Sequence, residues 1–218
     1  MKTLLLLAVL PRVLWHDVTA SVLPTTAEWT NRVALADIDG DGRVDLLFAN
    51  GGNYSEPGAP EPNRAFLNRT EDGVLRFEER SEAVFGPAAD AARVIQARDV
   101  DGDGSVDLLV GTTFQAQSRM YRGEGGGRFR DVTKTHLPQM PLSVGDLEIG
   151  DVDFDGDLDA VLADWGPGNN MTNTGGRTRL WLNDGSGRFT DETMERMPET
   201  LVRFSWDLNL VDVDNDAD

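Results

Sequence analysis

The chain has 218 residues, with 38 acidic side chains, 20 lysines and arginines, and no cysteine. Its formal net charge of −18 argues against nucleic-acid binding, because the chain would approach phosphates against its own field. Without cysteine, disulfides and thiolate metal sites are excluded within this sequence. Solubility and cation binding remain as explanations of the acidity, and the placement of the aspartates distinguishes them.

The first predicted element is an apolar run at residues 4–10, which follows Lys2. This run has the length of a signal-peptide core and is too short to span a membrane. A candidate cleavage site ends at Ala20. Residues 1–14 are therefore interpreted as a candidate signal peptide, with a buried strand or a fragment start as alternatives. No later segment is apolar enough to cross a bilayer.

An acidic motif then recurs along the chain. DIDGDGRVD at residues 37–45 is followed by DVDGDGSVD at 99–107 and DVDFDGDLD at 151–159. An incomplete copy, DVDNDAD, occupies residues 212–218. The negative charge is thus concentrated in a repeated pattern, which a general need for solubility does not explain.

Short apolar runs surround each complete motif. Alternating apolar residues precede it, and VDLLFAN, VDLLVGT or LDAVLAD follows. A third run (RAFLN, RMYRG or RLWLN), a glycine-rich turn and a fourth run (LRFEERS, GRFRDVT or GRFTDET) complete the repeat. Alternating runs joined by Gly, Asp and Asn turns are typical of antiparallel strands. Each repeat therefore predicts about four strands, which is the content of a propeller blade.

The predicted fold is all-β, made of four-stranded antiparallel β-propeller blades. The repeats span about residues 15–81, 82–133 and 134–193, with an incomplete repeat at 194–218. Three whole blades with edges of their neighbours do not close a ring, so we expect missing blades from a longer parent chain. Ring closure by oligomerisation is the alternative. The aromatic residues predicted to form the core between blades are Trp15, Phe66, Phe77, Tyr121, Phe129, Trp181 and Phe189.

The motif has the spacing of a calcium loop. Calcium takes about six to eight oxygen ligands, which D-x-D-x-D-G-x-x-D can supply from carboxylates and the carbonyl at position 7. Glycine at position 6 allows the sharp turn. The predicted carboxylate ligands are Asp37, Asp39, Asp41, Asp45, Asp99, Asp101, Asp103, Asp107, Asp151, Asp153, Asp155 and Asp159. The predicted carbonyl ligands are Arg43, Ser105 and Asp157, and the incomplete fourth site has Asp212, Asp214 and Asp216.

Other interpretations of the motif are weaker. An EF-hand requires glutamate at position 12, where this sequence has Phe48, Val110 or Leu162. Magnesium usually keeps several waters and takes few carboxylates. Transition metals prefer imidazole or thiolate, and the chain has two histidines. Calcium is therefore expected at about three complete sites and a truncated fourth, mainly as a structural ion that fixes the turn and the blade. Acidic turns without an ion are the alternative.

The acidic motif and the repeat end NDGSGRFTDET resemble the FG-GAP and VCBS repeats of integrin-α-like β-propellers. The resemblance extends over about residues 15–218. It implies calcium loops on one face of a ring of blades and partner binding on the opposite face.

The expected function is a non-catalytic scaffold for adhesion or ligand binding, with calcium stabilising each blade. We expect it outside the cell or at the cell surface, with a protein or glycan as ligand and neither nucleic acid nor a membrane span involved. The candidate recognition segments are the long runs 50–63 and 164–176, with Tyr54, Trp165 and Met171 as candidate contacts. The alternative is that both segments are ordinary inter-strand turns.

The main alternative is the propeller part of a secreted polysaccharide lyase or hydrolase. Paired carboxylates can act as acid and base, but the acidic motifs already account for the clustered carboxylates. The sequence has no cysteine nucleophile and no G-x-S-x-G motif. No catalytic residue is therefore expected. A purely structural segment of a larger surface protein is a third interpretation.

Overall fold

The computed structural model describes residues 15–53, 56–169 and 171–214. Within these ranges the chain forms three four-stranded antiparallel sheets, which confirms the all-β prediction. The first sheet, called blade 1, contains β1 (Thr30–Ala36), β2 (Asp45–Asn50), β3 (Arg64–Asn68) and β4 (Phe77–Glu79). Its strands pair in sequence order, as expected for a propeller blade.

Blades 2 and 3 repeat this arrangement. Blade 2 contains β5 (Ala92–Arg98), β6 (Asp107–Thr112), β8 (Arg119–Gly123) and β9 (Phe129–Asp131). Blade 3 contains β11 (Val144–Gly150), β12 (Asp159–Asp164), β13 (Thr178–Asn183) and β14 (Phe189–Asp191). A small separate pair joins β7 (Ala116–Gln117) to β10 (Pro141–Leu142).

Four short helices lie next to the blades in sequence. They are α1 (Thr19–Val22), α2 (Ser81–Phe85), α3 (Thr133–His136) and α4 (Thr193–Arg196). The last three each begin two residues after the fourth strand of their blade, and α1 precedes blade 1. None of the helices in the described ranges has the length and apolar character needed to span a membrane.

The register places each of the three complete acidic motifs in the first hairpin of its blade. The ladder of β1 and β2 ends with the pair Ala36 and Asp45. Blades 2 and 3 end their ladders with Arg98 opposite Asp107 and Gly150 opposite Asp159. The ninth residue of each motif is therefore the first residue of a strand, and the preceding eight form the turn.

The core lies between neighbouring blades. One cluster joins blades 1 and 2, where the rings of Phe85 and Tyr121 meet edge to face at 5.5 Å between centroids. A second cluster joins blades 2 and 3 around Trp181. Tyr121 and Trp181 are almost completely buried, as predicted, but Trp15 is 88% exposed. The core prediction for Trp15 is wrong, because within the described residues no sheet covers the side of blade 1 that precedes β1.

Candidate metal centres

Each acidic turn is closed by its own backbone. In the first turn, the Gly42 amide donates to Asp37 Oδ2 at 2.7 Å, and the Arg43 amide donates to Asp41 Oδ1 at 2.9 Å. The corresponding bonds in the other two turns run from Gly104 to Asp99, Ser105 to Asp103, Gly156 to Asp151 and Asp157 to Asp155. The repeated sequence therefore folds into one local structure three times.

Glycine at position 6 has a conformational reason. Gly42, Gly104 and Gly156 have φ of +84°, +88° and +96°, a region that side chains with a Cβ rarely adopt. This backbone turn lets the amide point back at the first aspartate. The glycine predicted from spacing is thus required by the turn itself.

The ninth aspartate ties the turn to the third strand. Asp45 accepts the Ile38 amide at 2.9 Å on Oδ2 and the Asn68 amide at 2.7 Å on Oδ1. Asp107 and Asp159 each accept two equivalent amide bonds. Burial raises the pKa of the carboxyl groups of Asp45 and Asp159, and it raises the pKa of Asp107 to about 6. These carboxylates combine a structural role with a cost of ionisation that a nearby cation would offset.

Three groups of carboxylates have one oxygen from each member within 4.8 Å of the others. The members are Asp37, Asp39 and Asp41; Asp99, Asp101 and Asp107; and Asp151, Asp153 and Asp159. Of the predicted carboxylates in the complete motifs, Asp45, Asp103 and Asp155 fall outside these groups. The fourth motif is different. Asp212 and Asp214 are exposed and join no such group among the described residues, and Asp216 lies outside those residues.

Some of the grouped oxygens lack a hydrogen-bond donor. Asp99 Oδ1, Asp151 Oδ1 and Asp153 Oδ1 are buried, and none has a hydrogen-bond partner within the described part of the chain. A buried carboxylate oxygen without a partner is costly, and a cation relieves that cost. The donor set is made of hard oxygens, which fits calcium.

Arginines contact all three turns, and sequence reasoning missed them as members of the site. Arg69 Nη1 lies 2.6 Å from Asp39 Oδ2 and 2.8 Å from Asp41 Oδ2. In blade 2, Arg122 contacts Asp101 and Asp103, and in blade 3, Arg196 contacts Asp153. These arginines occupy different repeat positions: after β3, within β8 and within α4. A repeat alignment therefore gives no signal for them.

The following blade covers the first two turns. A Cβ built on Gly127, in the β8–β9 connection, would lie 3.2 Å from Asp39 Cβ of blade 1. Gly187 of blade 3 has the same relation to Asp101 of blade 2, at 3.4 Å. Asn183 of blade 3 also donates to the Val100 carbonyl at 2.8 Å. Each of these acidic turns is thus part of an interface between blades.

The predicted recognition residues have different environments. Trp165 is 2% exposed, donates from Nε1 to Thr113 Oγ1 at 3.1 Å and stacks on Trp206 at 5.9 Å. Its assignment as a ligand contact is therefore wrong, because it belongs to the interior. Met171 is 89% exposed, and Tyr54 lies outside the described residues.

Comparison with known proteins gives matches over the same repeats. The sequence matches the FG-GAP-like repeat family over residues 37–110 and again over 99–162, together more than half of the chain. Cartilage acidic protein 1 of Xenopus tropicalis is 32% identical over 144 residues, which cover 60% of this chain and 20% of that protein. The Mus musculus and Homo sapiens proteins of the same name are 29% identical over the same coverage. The chain aligns with about a fifth of the length of these relatives.

Proposed function

The chain belongs to the family of FG-GAP-like repeat proteins, and from this premise we propose that it is a calcium-binding, non-catalytic scaffold of adhesion or ligand recognition outside the cell. The observation that carries the proposal is the repetition of one acidic turn, with three grouped carboxylates, at the same place on three blades. A turn that recurs in every blade is expected if an ion bound there stabilises the blade.

The proposed calcium ligands are first of all the grouped carboxylates. The remaining aspartate carboxylates at positions 5 and 9 and the backbone carbonyl at position 7, as predicted from the sequence, complete each set. A bound ion would supply the positive charge that offsets repulsion among these aspartates. The buried oxygens of Asp99, Asp151 and Asp153 support this choice, since they have no hydrogen-bond partner among the described residues. The turn amides and the ninth aspartates hold the carboxylates in place.

A position outside the cell is supported by two observations. Extracellular calcium modules bind at about 0.1–1 mM, and exposed turns of this kind suit a calcium-rich environment. The relatives of the chain are named for cartilage. Both favour a secreted or cell-surface scaffold.

The partner is proposed to be a protein or glycan that binds the face opposite the acidic turns. The described parts of the connections between second and third strands, such as residues 51–53, 56–63, 165–169 and 171–177, begin or end at the strand ends away from those turns. Met171, on the second of these connections, is exposed and available for contact. Further blades of a longer parent chain are the other proposed partners.

Direct calcium binding to EDTA-treated protein tests the proposal, measured by isothermal titration calorimetry. We expect about three sites, the weakest of them in the range of extracellular modules, about 0.1–1 mM, with magnesium binding weaker. A variant with Asp39→Asn, Asp101→Asn and Asp153→Asn should lose the binding. A control with exposed Glu71→Gln, Asp72→Asn and Glu124→Gln should keep it. Wild-type protein that takes up no calcium, or a triple variant that binds normally, would contradict the calcium assignment.

The proposal that the chain is non-catalytic is tested separately. Incubation of the calcium-loaded protein with pectin-like and sulfated polysaccharides should release no new reducing ends and no unsaturated sugars. Product formation that survives purification and depends on a carboxylate outside the acidic motifs would contradict it.

A further inference from the structure

The three acidic turns are built alike but do not carry the same charge. Position 7 is Arg43 in the first turn, Ser105 in the second and Asp157 in the third. The residue at this position therefore changes from basic to neutral to acidic along the chain, while the aspartates at positions 1, 3, 5 and 9 stay the same.

The contacting arginines extend the same gradient. In the first turn, Arg43 reaches Asp41, and Arg69 bridges Asp39 and Asp41. In the second turn, Arg122 lies 2.5 Å from Asp101 Oδ2 and 3.1 Å from Asp103 Oδ2.

The third turn has the weakest such contact. Arg196 Nη1 lies 3.3 Å from Asp153 Oδ2, and its side chain is 49% exposed. When the contacting arginines are counted with the side chains of each motif, every successive turn carries one more net negative charge.

The unpaired oxygens follow the same order. Within the described residues, the first turn has no buried carboxylate oxygen without a hydrogen-bond partner. The second turn has one, on Asp99, and the third has two, on Asp151 and Asp153. Among the described residues, the third turn therefore has the most buried carboxylate oxygens without a partner. It is contacted by one arginine, as is the second turn, but at a longer distance.

An arginine held against a carboxylate opposes calcium in two ways. It occupies an oxygen that the ion would share, and its charge repels a divalent cation a few ångströms away. It also stabilises the metal-free turn, because it offsets repulsion among the aspartates. Both effects lower the calcium affinity of a turn that otherwise has the same ligands.

We propose that Arg43, Arg69 and Arg122 grade the calcium affinities of the three turns, so that the third fills first, the second next and the first last. This inference rests on the proposed calcium function and adds an order to it. The blade that holds the first turn is consequently the most sensitive to a fall in calcium.

Calcium titration of the full chain followed by 15N–1H correlation spectra tests the order without any substitution. The amides of Gly42, Gly104 and Gly156 are equivalent reporters, since each donates to the first aspartate of its own turn. We expect the Gly156 shift to reach its midpoint at the lowest calcium, followed by Gly104 and then Gly42. The step between successive turns should be about fivefold, as expected for one unit charge near a divalent ion in high dielectric.

Charge-removing variants test the cause of the order. Arg69→Gln should lower the Gly42 midpoint by about fivefold and leave the Gly104 and Gly156 midpoints unchanged. Arg43→Gln should act on the same turn, which keeps the test available if one variant folds poorly. The matched control is Arg76→Gln, because Arg76 is an exposed arginine in the same β3–β4 connection.

The outcomes separate the two proposals. If none of the three glycine amides responds to calcium, the calcium function itself is wrong. If all three respond at one midpoint, or in the reverse order, calcium binding stands and the graded order is wrong. A higher Gly42 midpoint in Arg69→Gln would show that the arginine aligns the carboxylates for the ion and would also overturn the inference.

Discussion

At the scale of single residues, aspartates of one motif have different roles. The motif spacing alone treats all of them as metal ligands. Asp107 is 2% exposed and accepts the Val100 and Gly123 amides at 3.1 and 2.8 Å, so it joins the turn to β8. Asp103, at position 5, is exposed and accepts the Ser105 amide within the turn. Asp107 therefore stabilises the blade, whereas Asp103 stabilises the turn.

Substitution of these two aspartates should therefore have different effects in EDTA. Asp107→Ala leaves two buried amides without an acceptor and should lower the free energy of unfolding by about 2–4 kcal/mol. Asp103→Ala should lower it by less than about 1 kcal/mol, because its hydrogen bond with the Ser105 amide lies at the surface. Urea denaturation measures both values. Equal losses would show that Asp107 has no structural role beyond its charge.

The raised pKa of Asp107 predicts that calcium binding releases a proton. Burial raises its pKa to about 6, so in the metal-free protein it is partly protonated at pH 6 and ionised at pH 7.5. A bound cation favours the ionised form, so calcium affinity should fall as the pH falls through 6. Calorimetry in buffers of different ionisation enthalpy should detect proton release at pH 6 and almost none at pH 7.5. Release that is the same at both pH values would contradict this assignment.

The identity of the acidic residues follows from sequence, but the surrounding cations do not. Spacing places Asp37, Asp39 and Asp41 in one turn, and the structure groups their oxygens. Arg69 and Arg122 reach the turns from strands or strand ends at unequal repeat positions. A repeat pattern reveals what every blade shares, so a contact made differently in each blade escapes it.

At the scale of elements, the acidic turn and the β8–β9 connection of the next blade form one interface. Gly127 and Gly126 lie side by side in that connection with φ of +70° and +61°. A Cβ on Gly127 would meet Asp39 Cβ at 3.2 Å and Leu67 Cδ1 at 3.3 Å. Among the described residues, a Cβ on Gly126 would meet only the flexible end of Arg128, at 3.7 Å. The two positions share a backbone conformation and differ in what they pack against.

Alanine at each position therefore tests this interface. Both variants lose roughly 1–2 kcal/mol because alanine is strained at positive φ. Gly127→Ala should lose about 1 kcal/mol more, because the first acidic turn and Leu67 of blade 1 must shift to admit the methyl group. Urea denaturation in EDTA compares them. If Gly126→Ala lowers the free energy of unfolding as much as Gly127→Ala, the loss comes from backbone strain alone.

The strands themselves were predictable because their signal is local. Alternating apolar residues and Gly or Asp turns specify the four-stranded hairpin order of each blade, and the structure confirms it. The environment of Trp165 was not predictable, because it depends on Phe114 and Trp206 from other segments. Sequence pattern therefore determines strands well and the packing of the connections poorly.

At the scale of the whole molecule, the described residues form a row of three blades with unlike ends. Val33 on β1 is 46% exposed, whereas Ile95, at the equivalent position on β5, is 3% exposed. Blade 1 covers Ile95, and within the described residues no blade covers Val33. At the other end, residues 205–208 lie beside β11, where the Leu208 amide donates to Asp146 at 3.2 Å. Trp15 and Val33 were predictable as apolar repeat positions, but their exposure depends on a neighbouring blade.

Substitution at these equivalent positions measures how much a neighbouring blade contributes. Ile95→Ala should lower the free energy of unfolding by about 2–5 kcal/mol, because it leaves a cavity between blades. Val33→Ala should change it by less than about 1 kcal/mol, because the side chain is already half in water. Thermal or urea denaturation gives both values. Similar losses would show that the outer face of blade 1 is covered in solution.

The most direct test of the account is thermal unfolding of the chain in 2 mM calcium, 2 mM magnesium or EDTA. A site with a dissociation constant of about 0.1 mM adds about 1.8 kcal/mol at this calcium concentration, so several sites should raise the Tm clearly. We predict a rise with calcium that magnesium does not reproduce. A cooperative transition at the same temperature in all three solutions would contradict the account, because the acidic turns would then fold without need of a cation.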